Sequence, residues 1–62
     1  MGMMKHDERF APRISDMAIS ANEIFINSNI LANDERVSEA KRDLLKALAD
    51  NMLTVIKVIE TL

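Results

Sequence analysis

The apolar positions fall into two blocks, each repeating at helical spacing. In the first, Ile14, Met17, Ala18, Ala21, Ile24, Phe25, Leu31 and Ala32 share one face at about 100° per residue. The same stretch carries a second apolar line, Ile19, Ile26 and Ile30, on nearly the opposite side. This helix is predicted over about residues 12–32. Pro12 restricts Ala11 to extended geometry and suits a first helical turn, so residues 1–11 read as an arm. Asp16 near the start of the helix favours the positive end of its dipole.

The second block is predicted as a longer helix over about residues 34–61. Its polar stripe is Glu39, Arg42, Asp43, Lys46, Asp50, Thr54, Lys57, Glu60 and Thr61. Opposite lies an apolar arc of roughly 180°, against the roughly 100° of an ordinary surface helix. The arc resolves into two adjacent heptad series. One is Val37, Lys41, Leu44, Leu48, Asn51, Val55, Val58 and Leu62; the other is Leu45, Ala49, Met52, Ile56 and Ile59. Two series on one helix call for two neighbours, and the first helix supplies one.

Between the blocks, Asn33 and Asp34 read as the break. Asn33 would then cap the second helix, with Asp34 and Glu35 in its first turn. The cluster Asn27, Ser28, Asn29 is also turn-prone, so an end to the first helix near Ile26 stays open. At 1.5 Å per residue the second helix, about 42 Å long, overhangs the first, about 30 Å. Its apolar C-terminal turns either meet the arm there, with Met3, Met4 and Phe10 as candidate contacts for Val55, Ile59 and Leu62, or, with a flexible arm, stay free for a partner.

Length sharpens the need for company. Sixty-two residues lie below the size at which one core ordinarily offsets chain entropy unaided. With no Cys and one His, neither disulfides nor a structural metal are expected to help, which leaves association. The predicted architecture is all-α: a helical hairpin over residues 12–62 that assembles as a dimeric four-helix bundle. This arrangement is similar to the dimeric helical hairpins of the Rop plasmid-copy regulators, by architecture and without a shared motif. That resemblance implies a fold and not a function.

The candidate interface with a second copy or a target is Ile19, Ile26 and Ile30 with Leu45, Ala49, Met52, Ile56 and Ile59. Asn51, among apolar neighbours, is a candidate register residue across a two-fold axis. Lys41 in the same series reads as a side chain snorkelling to water.

Charge narrows the function classes. The formal net charge is −2, whereas nucleic-acid binding normally rests on a basic footprint. The one basic grouping, Arg36, Lys41, Arg42 and Lys46, is interleaved with Glu35, Glu39 and Asp43, and reads as a solvated ion-pair mosaic before a phosphate strip. With no Tyr or Trp, base-stacking platforms are scarce. A nucleic-acid-binding regulator using those four residues is the alternative reading.

Chemistry adds nothing to this. His6, Asp7 and Glu8 are adjacent residues of the arm and make a poor preorganised metal site. There is no Ser/His/Asp, Cys/His, HExxH or Gly-rich phosphate signature. No enzyme, cofactor or small-molecule substrate is expected. No apolar run reaches the ~18 residues of a membrane span. The sequence "NMLTVIKVIETL" has Lys57 as its one basic residue, too few for a membrane-surface helix. "MGMMKH" has His6 where a myristoylation signal wants Ser or Thr. A cytoplasmic interaction protein is the expectation: a dimeric regulator, adaptor or inhibitor of a larger protein.

Overall fold

The computed structural model describes residues 10–62, which form two helices, α1 (Ala11–Ala32) and α2 (Glu39–Glu60). They pack against each other as a hairpin, and no strand occurs among the described residues. The expected all-α hairpin is therefore the observed one. Met3 and Met4, with His6, Asp7 and Glu8, lie outside the described residues.

Helix α1 begins one residue earlier than the sequence suggests. Phe10 precedes it with no side-chain cap, Ala11 is already helical, and Pro12 occupies the second helical position. Its missing N–H costs nothing there, because the first amides of a helix have no intrahelical acceptor. Asp16 falls beyond the first turn, which carries no acidic residue.

Through Asn27–Asn29 the helix continues without a break. Within that cluster Asn29 bonds back onto the preceding turn, its Nδ2 donating to the Phe25 carbonyl at 3.1 Å, as Asn22 Nδ2 does one stretch earlier to the Ala18 carbonyl at 2.9 Å. Ser28 is buried at the seam, where a small side chain fits.

Asn33 closes α1 and does not cap α2. Its backbone N–H reaches the Asn29 and Ile30 carbonyls, both at 3.2 Å, and its side-chain amide donates to the Asn29 carbonyl at 2.8 Å. A six-residue connection follows, organised by Asp34. Its Oδ1 accepts the Arg36 backbone N–H at 2.9 Å, and its carbonyl accepts from the Val37 backbone at 3.0 Å.

Helix α2 then starts at Glu39 rather than Asp34. Ser38 is extended at φ −60°, ψ 151°, and its Oγ accepts the Lys41 N–H at 3.3 Å. Glu39 sits in the first turn and Lys57 in the last, both favourably placed on the dipole. At the far end Thr61 Oγ1 donates to the Val58 carbonyl at 2.6 Å.

The later start makes the helices equal at 22 residues each, about 33 Å. The expected overhang of α2 disappears with it.

Burial identifies the seam. On α1 the covered positions are Ile14, Ala18, Ala21, Phe25, Ser28 and Ala32, with Asn29 half-buried beside Ser28; on α2 they are Arg42, Leu45, Ala49, Met52, Ile56 and Ile59. Both series alternate steps of three and four, the spacing of antiparallel helices in sustained contact. Ala21 and Ala49 are each 3% exposed, and small side chains here let the two backbones approach closely. The core is thin. Ala21, Ala32, Ala49 and Ile59 are its buried apolar members, and no large side chain is fully enclosed.

Candidate interaction surfaces

The seam settles which of the two heptad series on α2 meets α1. Leu45, Ala49, Met52, Ile56 and Ile59 lie within the hairpin, with Ala49 and Ile59 buried and the other three half-buried. Five residues expected at the interface with another chain are thus covered by α1. The series left open is the neighbouring one: Leu44 is 70% exposed, and Leu48, Val55, Val58 and Leu62 are exposed beside it.

The open series faces the same side of the hairpin as Met17, Ile24 and Leu31 of α1, all exposed. Two shallow grooves on this side record the alignment. One, of about 360 Å³, is lined by Met17, Ser20 and Ile24 against Met52, Val55 and Ile59. The other, of about 390 Å³, lies at the turn end between Leu31 and Val37, Lys41, Leu44 and Leu45. Together they run along one broad apolar face built from both helices. Asn51 belongs to this face and is exposed, with Leu48 and Val55 on its own helix as neighbours. Sequence periodicity exposes the ingredients of the face but not its assembly, which depends on the side of α2 that α1 takes.

Ile19, Ile26 and Ile30 form a separate surface. They are 58%, 55% and 60% exposed, and stand roughly 140–180° around α1 from Ala21. They therefore point away from α2, as the two-faced reading of α1 requires. Phe10 is exposed at the open end of the hairpin, beside the C-terminal end of α2.

The four basic residues do not gather. Arg36 lies in the connection, where it clasps Asp34: Nη2 donates to Oδ2 at 2.6 Å and Nε to Oδ1 at 3.0 Å. Lys41 lines the turn-end groove on the broad face. Arg42, expected on the solvated stripe, is a half-buried seam residue whose Nε is enclosed without a hydrogen-bond partner. Lys46 is exposed about 140° around α2 from Lys41. Asp34 is held below its usual carboxylate range, first by the Arg36 side chain, then by the Arg36 backbone N–H, with a smaller pull from the Arg42 charge.

Among the described residues no group of His, Cys, Asp or Glu is arranged to hold a metal ion. Nor is any helix among the described residues long and apolar enough to cross a membrane. No protein-family profile, curated protein or solved structure matches the chain.

Proposed function

We propose that this chain is a small non-enzymatic protein–protein interaction module, a cytoplasmic homodimer that regulates, adapts or inhibits a larger protein. One observation carries the reading. The hairpin buries four apolar residues while thirteen large ones stay exposed, and most of these align on two faces. Scattered surface leucines need no explanation, but a face spanning both helices of a protein this small does. A core of three alanines and one isoleucine is thin support for an ordered chain, and association is the route by which small domains without disulfides or metals complete one.

In this reading the broad face pairs two hairpins as a four-helix bundle, and the isoleucine stripe meets the target. The basic residues carry no second reading, being divided among the connection, the seam and two sides of α2.

Sedimentation equilibrium over a wide concentration range tests the dimer: a species of twice 7.0 kDa is expected, and a stable, folded single chain at high concentration overturns it. Affinity capture from the native host, comparing the wild type with Ile19→Asp/Ile26→Asp, tests the target. A protein retained by the first and lost by the second is expected; equal retention removes the stripe from the account. A gel shift with RNA or duplex DNA at low salt would replace the reading with the nucleic-acid one.

A further inference from the structure

We infer that two copies of this chain pair through their broad faces with the hairpins pointing in opposite directions, about a two-fold axis perpendicular to the helices. The inference rests on the dimeric reading above and adds its surface, direction and register.

The argument starts from the open series on α2. Lys41, Leu44, Leu48, Asn51, Val55 and Val58 are mirrored about the point between Ala49 and Asp50: Leu44 answers Val55, Leu48 answers Asn51, and Lys41 answers Val58. Helix α2 runs Glu39–Glu60, so the same point is its midpoint. On α1, Met17 and Leu31 are mirrored about Ile24. The two grooves set Leu31 level with Lys41 and Leu44, and Met17 level with Val55, which brings Ile24 level with the midpoint of α2, so one axis serves both helices. An axis parallel to the helices would instead set α2 against α1 of the other copy, leaving Asn51 beside Ile24 with no amide to meet.

Size agrees with a second copy as occupant. The hairpin extends 46 × 16 Å across this side. That footprint, roughly 700 Å², is close to the ~800 Å² per partner of a standard stable interface. Every helix in the opposed pair has antiparallel neighbours, the simplest four-helix arrangement.

Asn51 fixes the register. In the opposed pair the two copies of Asn51 lie on either side of the axis, offset by three residues or about 4.5 Å along the helices, within reach of an amide-to-amide hydrogen bond. Sliding the pair by one heptad sets Asn51 against Val55 or Lys41 of the other copy and removes its amide partner.

The test uses the chain's lack of cysteine. A spin label on Glu39→Cys, outside the broad face, reads the separation of the two copies of that position. Twenty-one residues separate Glu39 from Glu60, so the opposed pair places the labels more than about 32 Å apart, whereas a pair with turns together places them within about 20 Å. A short distance in a proven dimer overturns the opposed direction and leaves the dimeric reading standing. No dipolar coupling, with a single-chain mass, overturns both.

Leu44→Asp/Leu48→Asp should lose the dimer, and Ile19→Asp/Ile26→Asp should keep it; the reverse result overturns the choice of face. Should the first variant fail to fold, Asn51→Leu remains informative. It should stay dimeric and spread the single distance into several registers, and an unchanged single distance removes Asn51 from the account.

Discussion

Asp34 holds Arg36 through four hydrogen bonds within the connection: Oδ1 accepts from its backbone N–H at 2.9 Å and from Nε at 3.0 Å, and Oδ2 accepts from Nη2 at 2.6 Å and from Nε at 3.2 Å. The side-chain bonds to Arg36 are the main cause of the lowered Asp34 pKa, whose ordinary value is 3.8. A carboxylate with a depressed folded-state pKa stabilises the fold fully above its unfolded value, and that contribution fades as pH falls through the folded value. Melting curves of the wild type and Asp34→Asn should therefore differ at neutral pH and converge in acid below about 3.8. Arg36 is largely exposed, so the difference will be small and reduced by salt. A gap that stays constant down to the lowest pH would remove the ion pair from the explanation of this turn.

Ser38 is the point from which α2 is counted. Ser38→Ala removes the acceptor for the Lys41 N–H and should cost about 1 kcal/mol, read from denaturant midpoints. Ser38→Asp should retain most of that stability. Equal midpoints for Ala and wild type would mean that another group supplies the cap.

Arg42 is a polar residue in the wrong company. Its Nε is enclosed without an acceptor, and replacing such a group by an apolar chain of similar length is close to neutral or stabilising. Arg42→Met should leave the melting temperature unchanged or raise it. A loss beyond about 1 kcal/mol would show that the guanidinium's remaining contacts and its attraction to Asp34 outweigh the orphaned nitrogen.

The centre of the seam should resist enlargement. Ala49→Leu forces three extra carbon atoms into a site where the residue is almost wholly covered, and overpacking of this kind costs about 1–3 kcal/mol. Leu53→Ala at the flank of the seam, where the side chain is 43% exposed, should cost less than half as much. Reversal of that order, measured in the same denaturant series, would contradict the seam assignment.

The hairpin was legible in the sequence because α2 is strongly amphipathic at helical spacing and α1, though apolar on two faces, repeats at the same spacing on each, and Asn33 marked the end of the first. The start of the second was not. Asp34 and Glu35 resemble a favourable first turn, but Asp34 is taken up by the Arg36 amide and guanidinium, and Ser38 supplies the cap instead. The choice between the two heptad series on α2 was illegible for another reason. Both are apolar, so hydropathy alone does not rank them; α1 meets the Leu45 series, in register with its own small residues Ala18, Ala21, Ser28 and Ala32. That choice reassigns the open surface from Leu45, Met52 and Ile56 to Leu44, Leu48 and Val55. Arg42 was misplaced because its neighbours in sequence are charged, whereas its position in the three-four series belongs to the seam.

Ile19, Ile26 and Ile30 point away from both the seam and the broad face. Pairing through the broad face, as proposed, duplicates them and covers neither set. The resulting particle is bivalent, so a target presented in clusters would be held far more tightly than an isolated copy, by effective concentration and without any added contact.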